Sequence, residues 1–419
     1  MGKRRKWLTF AIRMIGIMAT FSSLCGFAVQ YYNEYLPTKI CVISGQEERL
    51  AFELPITGVI RHQDYQDVEM VVNLSEPVTL MADNLTSYDL ELQLFGMFNL
   101  KDIELQVVEQ RELIPAGIPI GIYLETEGVM IVDIGEVEGN QEIYMPAKYI
   151  LQQGDYVLKV NGEPLSDKKK LVEYIGTCDG ESLILTIKRG NQVFDTKVTP
   201  VLNKDDVYQI GIWIKDNVQG IGTLTYVDEL GSFGALGHGI HDSDTGKIVD
   251  IHVGSLYMTN IISIKKGERG EPGELTGIID YNQKYVLGDI YSNADSGISG
   301  NCNGKMMELM AEAEKLPVGY KHEVSQGPAQ IVCTVDGTRR YFDIEITKMH
   351  YDAPVENKGL EIKVTDEALM ELTGGIVQGM SGSPIVQNGK LVGAVTHVLV
   401  NDPTRGYGIF IENMLEAAG

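Results

Sequence analysis

From residue 36 onward the apolar residues of this chain fall in alternations and short runs suited to strands, and few stretches carry a helical period. Leu90-Glu91-Leu92-Gln93-Leu94 alternates strictly, and Val71-Val72-Asn73-Leu74 is a short apolar run; turn signals at Asp83-Asn84 and Ser87 separate them. This predicts a small β-rich module over residues 36–106, with no recognisable chemistry. Beyond residue 205 short strands recur at Gln209–Trp213, Gly222–Val227, Gly231–His238, Lys247–Ile251, Asp343–Lys348, Ile376–Val377, Ile385–Val386, Leu391–His397 and Tyr407–Ile411. Many of the 46 glycines stand among them as turns. A span of about 215 residues built this way suits two packed six-stranded barrels. Met306 to Lys315 is the one clear helical insertion.

The N-terminus breaks this pattern. Lys3-Arg4-Arg5-Lys6 precedes an apolar run from Trp7 to Val29 that only Arg13 interrupts, long enough to span a bilayer. The basic flank would remain cytoplasmic and place everything after residue 35 on the far side. Residues 1–35 therefore read as a membrane anchor or, since Gly26-Phe27-Ala28 offers a small-x-small site, a cleaved signal.

Charge and cysteine content narrow the class. A formal net charge of −23 argues against a nucleic-acid partner, whose phosphates would be repelled. Cys25, Cys41, Cys178, Cys302 and Cys333 contain no CxxC pair, which weakens both a zinc site and a disulfide framework.

Residues 107–200 carry a sharper pattern. Pro115 to Glu125 leads into a strand, Val129 to Ile134 forms a second, and Pro146 to Ile150 suits a short helix. Leu151-Gln-Gln-Gly-Asp-Tyr-Val-Leu-Lys-Val-Asn-Gly follows, then a helix over Asp167 to Tyr174 and a closing strand at Ser182 to Gly190. This order resembles a PDZ domain. The resemblance puts Ile120-Gly121-Ile122 at the loop that receives a peptide carboxylate, where glycine lets backbone N–H groups converge. The strand from Ile122 to Leu124 would then pair with a peptide ligand, with Leu171 on the opposite wall.

Gly379-Met380-Ser381-Gly382-Ser383-Pro384 is the strongest chemical signal. A serine nucleophile needs an exposed hydroxyl beside N–H groups that can hold an oxyanion, and the N–H groups of Gly379 and Ser381 are placed for this. With its downstream hairpin the segment resembles the trypsin-like Gly-Asp-Ser-Gly-Gly-Pro motif, with Met380 in place of aspartate. Ser299, in Gly297-Ile298-Ser299-Gly300, lacks the strand-turn-strand that should follow. Of seven histidines, His238 in Ala235-Leu-Gly-His-Gly-Ile stands at a strand end between glycines and is the expected base. His241 is the runner-up. Trypsin-like spacing offers Asp280 or Asp289 as the third member.

A closer resemblance spans nearly the whole chain. The N-terminal anchor, the PDZ segment, Leu236-Gly-His-Gly-Ile, Gly374-Gly-Ile-Val-Gln-Gly-Met-Ser-Gly-Ser-Pro-Ile and the run from Gly393 to Ile409 are together similar to the stage IV sporulation protein B peptidases of endospore-forming bacteria. The resemblance implies a triad of Ser381, His238 and Asp366, and no cofactor or metal. It also implies a self-processing enzyme exported across the forespore inner membrane. Such an enzyme cleaves a membrane-anchored regulator in the intermembrane space, which leads to activation of a late mother-cell sigma factor. Two other classes stay open: a metal hydrolase using His238, His241 and Asp242 or Asp244, and a non-catalytic anchored scaffold that recruits partners through its PDZ domain. The expected fold is mainly β: anchor (1–35), β-rich module (36–106), PDZ domain (107–200) and a trypsin-like double β-barrel (205–419).

Overall fold

The computed structural model describes residues 36–418, apart from 51–55, 64–68, 83 and 352–355, together with residues 7, 10, 12–20, 23, 26 and 27. The expected membrane segment lies largely outside the described residues, among which no helix is long and apolar enough to cross a membrane. Residues 36–108 form a small β module. Strand Lys39–Ile43 runs parallel to Phe98–Val108, and Ser87–Leu94, Ile56–His62 and Glu69–Asn73 complete a five-stranded sheet. Leu90, Leu92, Leu74 and Ile56 fill its buried face, which is why Leu90-Glu-Leu-Gln-Leu94 alternates. The module also packs on the rest of the chain, because Cys41 and Ile43 share an apolar seam with Leu113, Tyr226, Ile409 and Met414.

Two six-stranded barrels follow. The second closes from Gly327–Thr334, Arg339–Met349, Leu360–Val364, Asp402–Phe410, Lys390–Leu399 and Pro384–Gln387. The first closes from Glu112–Ile134, Ile212–Val227, Ser232–Ala235, Gly297–Cys302, Val286–Ala294 and Ile251–Lys265, since the last of these pairs back onto Glu112–Ile134. One stave of this barrel therefore precedes the PDZ-like segment. The expected boundary at residue 205 cuts through a barrel that begins near residue 112.

The 23-residue strand Glu112–Ile134 explains this. Its first half contributes Ile114, Ala116, Ile120, Ile122 and Leu124 to the first barrel core. Its second half contributes Val129 and Ile131 to a separate core with Val157, Leu171, Leu185 and Ile187. Strand Ile212–Val227 runs beside it for almost its whole length. The small module is thus carried at the outer end of a two-stranded ribbon that grows out of the barrel.

Local elements differ from expectation where glycine or capping chemistry intervenes. The module helix spans Lys168–Gly176 because Asp167 caps it, its carboxylate accepting the N–H of Lys170 at 3.0 Å. The helix expected from Met306 begins at Gly304 under an Asn303 cap and ends at Met310. Pro146–Ile150 forms turns, with Tyr149 at φ +65°. Ile376 and Val377 are not a strand: left-handed Gly374 turns the chain after its helix, and Ile376 N–H bonds instead to the Pro403 carbonyl at 2.8 Å.

Candidate active site

Strand Ser232–Ala235 ends where Leu236 and Gly237 both adopt φ +69°. A left-handed leucine costs about 1–2 kcal/mol, so its surroundings must hold it. Leu236 N–H donates to the Thr223 carbonyl at 3.2 Å, and the Leu236 side chain lies over Gly222, where a Cβ would come within 2.1 Å of it. The turn delivers His238 into the space between the barrels. His238 Nδ1 stands 3.0 Å from the Gly239 carbonyl, and a carbonyl can only accept, so Nδ1 carries the proton and Nε2 offers its lone pair. The following loop is clasped by Asn293. Its Oδ1 accepts the Ile240 N–H at 2.8 Å, and its Nδ2 donates to the carbonyls of Ile240 and Val249 at 3.0 and 2.9 Å. Further on, buried Asp242 takes the N–H groups of Asp244 and Thr245 and pairs with Lys215 Nζ at 3.0 Å.

The nucleophile loop comes from the second barrel. Gly379 (φ +98°) and Gly382 (φ +95°) bracket Met380 and Ser381. At Gly382 a Cβ would come within 2.0 Å of the Thr223 carbonyl, so only glycine lets this loop meet the first barrel. Buried Met380 fills the second barrel's core where the trypsin-like motif has aspartate. Thr223 donates its N–H to the Ser381 carbonyl at 3.0 Å and its hydroxyl to the Gly379 carbonyl at 2.8 Å. Ser381 Oγ donates to the Thr396 carbonyl at 2.7 Å. The N–H groups of Gly379 and Ser381 donate to no protein acceptor among the described residues. Ser383, by contrast, is fully buried, with its hydroxyl on the Met380 carbonyl.

These two loops face a cleft of about 560 Å³ lined by Ser381, Gly379, His238, His241, His397 and the strand segment Val218–Ile221. The rings of His238 and His397 stand 5.0 Å apart. Burial lowers the His238 pKa below 6.5, the Gly239 carbonyl opposes this, and nearby His241 adds to it. Burial and the neighbouring His238, Lys358 and His241 lower that of His397 to about 4. Both imidazoles are therefore neutral at pH 7, the form a general base requires. Among the described residues no group of three or more histidine, cysteine, aspartate or glutamate side chains is placed to hold a metal ion. Asp242, in particular, is occupied by Lys215 and two backbone N–H groups.

The cleft brings together Ser381, His238 and Gly379, but not Asp366. Asp366 caps the helix Glu367–Thr373, with Oδ1 taking the Leu369 N–H at 2.9 Å and Oδ2 the Asp343 N–H at 3.3 Å. The expected third member is thus engaged in local backbone capping, and the partner of His238 Nδ1 is the Gly239 carbonyl. Asp280 and Asp289 are both exposed and away from the cleft lining. Ser299 pairs with Gly234 within a barrel strand and does not line the cleft.

Ile120-Gly121-Ile122 also differs from expectation. Ile120 and Ile122 are buried in the barrel core, and this segment is paired on both edges: Ile120 with Gly222 and Met258, Ile122 with Gly220 and Leu256. With no free edge it cannot add a peptide strand. Beside the helix Lys168–Gly176 the equivalent place is taken by Ile212–Asn217, which pairs with the second half of Glu112–Ile134. The sequence held a signal for this, because Ile210-Gly211-Ile212 repeats the Ile-Gly-Ile pattern ninety residues later. Thr223 and Asn293, which fix the two loops, carry no comparable signal.

A hydroxyl and an imidazole from two barrels, facing one cleft beside unpaired N–H groups, define a two-barrel peptidase. The model of the SpoIVB peptidase S55 family matches residues 206–415, half of the chain, and the chain belongs to that family. It is 37% identical over 68 residues to a Clostridium perfringens (strain 13 / Type A) protein named as a zinc metalloprotease, covering 16% of this chain and only 20% of that relative. Among solved structures it matches the PDZ domain of an SdrC-like protein from Listeria monocytogenes, at 20% identity and a TM-score of 0.18 over 22% of this chain and 90% of that one. It also matches the exotype rhamnogalacturonan lyase YesX, at 11% identity and a TM-score of 0.18 over 88% of this chain and 68% of that one.

Proposed function

We propose that this peptidase is a serine endopeptidase of sporulation signalling. Ser381 Oγ attacks a substrate carbonyl while His238 Nε2 takes its proton and passes it to the leaving amine. The Gly379 and Ser381 N–H groups hold the oxyanion, and water then releases the acyl group by the same route. What carries this reading is the meeting of Ser381, His238 and two unpaired N–H groups on one cleft. In the resting arrangement Ser381 Oγ is bonded to the Thr396 carbonyl, so attack begins with a turn of its side chain toward His238. The Gly239 carbonyl orients the imidazole and selects its tautomer, with less stabilisation of the imidazolium than a carboxylate would give. The mechanism uses no metal or cofactor.

The name of the matched family is what supports a sporulation setting. The protein is anchored in or exported across the forespore inner membrane, processes itself, and cleaves a membrane-anchored regulator whose loss activates a late mother-cell sigma factor. Its PDZ-like module binds a peptide. The test is Ser381→Ala at the native locus of a sporulating host. The regulator should stay intact, the protein should keep its unprocessed N-terminus, and the late sigma factor should stay silent; normal processing of both proteins would refute the reading.

A further inference from the structure

The turn that joins Ser87–Leu94 to Phe98–Val108 in the N-terminal β module has an unusual composition. Phe95 (φ +54°) and Gly96 (φ +63°) are both left-handed, and the Met97 N–H closes the turn on the Leu94 carbonyl at 3.2 Å. Two central residues at positive φ make the hairpin turn that favours Asn-Gly. A phenylalanine there carries a strain of about 1–2 kcal/mol. The fold gains little burial in return, because Phe95 is 56% exposed and Met97 beside it 74% exposed. The module thus holds two large apolar side chains in water at one tip.

The chain enters the module toward the same tip. Lys39–Ile43 runs parallel to Phe98–Val108 with Lys39 opposite Glu104, so the residues just before Lys39 lie on the side of Phe98 and the turn. Two bonds hold them there: the Thr38 carbonyl accepts the Glu104 N–H at 2.9 Å, and the Leu36 carbonyl accepts Lys101 Nζ at 2.6 Å. The apolar run Trp7–Val29 ends seven residues before Leu36, a tether of at most about 25 Å. The barrels dock on the other half of the sheet. Cys41, Ile43 and Val108 form the seam with Leu113, Ile409 and Met414, and Lys39 pairs with Glu416 at 2.6 Å. From Leu90 to Leu100 the sequence holds no lysine or arginine, so whatever meets the tip meets apolar side chains and not a basic patch.

We propose that the Leu94–Met97 turn is a second membrane contact, with Phe95 and Met97 entering the lipid interface beside the N-terminal anchor. The inference rests on the anchored reading above and adds a separate surface of the folded module. Three observations favour a bilayer as the occupant. The tip is apolar and exposed, the preceding apolar run is tethered within about 25 Å of the same end, and the barrels occupy the opposite half of the sheet. Removing the two side chains from water offsets the strain at Phe95, since full burial of such a side chain contributes about 1.5–3 kcal/mol. An anchor alone would let the module swivel on its tether. A second contact at the same end stands it upright, with the barrels held on the side away from the bilayer.

The test uses the full chain with Ser381→Ala, which keeps it unprocessed, reconstituted in phosphatidylcholine vesicles whose acyl chains are brominated or not. Tryptophan fluorescence is the probe, with Trp7 and Trp213 replaced by phenylalanine. Phe95→Trp and Met97→Trp, each checked for an unchanged melting temperature, place the probe at the tip. Leu85→Trp places it at a position that is 60% exposed at the opposite end of the sheet, two residues before Ser87 and its partner Gln106. Both tip probes should emit at shorter wavelength than the Leu85 probe and be quenched severalfold more strongly by bromine. A chain that keeps Trp7 as its only tryptophan reports on the anchor. Quenched Trp7 with unquenched tip probes would overturn the turn contact alone and leave the tip to a protein partner. Equal quenching of the tip and Leu85 probes would show a module lying flat and would also overturn it. Unquenched Trp7 would overturn the anchored reading beneath it.

Discussion

Thr223 and Ser381 are joined across the barrel interface: the N–H of Thr223 donates to the Ser381 carbonyl at 3.0 Å. The carbonyl of the same Thr223 accepts from Leu236, two residues before His238, and its hydroxyl holds the Gly379 carbonyl. One residue therefore sets the spacing of the base loop and the nucleophile loop. Thr223→Val keeps the backbone bonds and removes the hydroxyl, leaving the Gly379 carbonyl short of a partner. We expect a loss of about 1 kcal/mol in stability and a fall of about tenfold in kcat with KM little changed. An unchanged kcat would show that the loops are fixed by other means.

Serine substitutions should separate chemistry from architecture. Ser381→Ala is expected to lower kcat by about 10⁶ without a change in melting temperature. Ser299→Ala, within a barrel strand, should leave activity near that of the parent. Loss of catalysis at Ser299 but not at Ser381 would reverse the assignment.

Asp366 discriminates between its expected and observed roles. As a helix cap, Asp366→Ala should cost about 0.5–2 kcal/mol of stability, while Asp366→Asn, which can still cap, should be nearly neutral in both stability and kcat. A loss of about 10⁴ in kcat for Asp366→Asn at constant melting temperature would instead show that it orients the imidazole during turnover.

The legible parts of this molecule were those whose chemistry is local. The alternation at Leu90–Leu94, the glycine-bracketed Ser381 and the glycine-flanked His238 declare themselves within a few residues, and each stands in the kind of element expected. Long-range pairing was not legible. Nothing near Ile120 shows that its strand will be paired on both edges, because its partners at Gly222 and Met258 lie more than a hundred residues away. A buried strand at a PDZ groove and a buried barrel stave have the same apolar pattern. The role of Asp366 was not legible for a related reason, since an aspartate three residues before an apolar helix position serves a cap as readily as a catalytic site.

The reassigned strand gives a prediction of its own. Ile122→Asp puts a carboxylate among Leu124, Leu224 and Leu236 in the first barrel core, and should cost at least about 3 kcal/mol. Ester and protein hydrolysis should fall together, with a lowered melting temperature. Selective loss of protein cleavage in a fully folded variant would return this segment to a peptide groove.

Acidity should act through the two cleft imidazoles. Catalysis needs neutral His238, so the acid limb of kcat/KM should have its midpoint below 6.5, because burial lowers that group. For stability, the unfolded chain takes up protons on His238 and His397 near pH 6.5, whereas folded His397 resists until about 4. More protons are bound to the unfolded state in that window, so stability falls as pH drops from about 6.5 to about 4 and is insensitive to these groups above it. Melting temperature against pH, with His397→Gln giving a shallower acid slope, checks the sign. A slope unchanged by His397→Gln would remove His397 from the account.

Catalysis by this peptidase rests on Ser381 as a nucleophile activated by His238. Treating the folded protein with a fluorophosphonate and mapping the adduct by mass spectrometry tests it most directly. One adduct is expected, on Ser381, that His238→Ala abolishes and that denatured protein fails to form. An adduct on another serine, or an inert Ser381 in a protein that still cleaves its substrate, would contradict it.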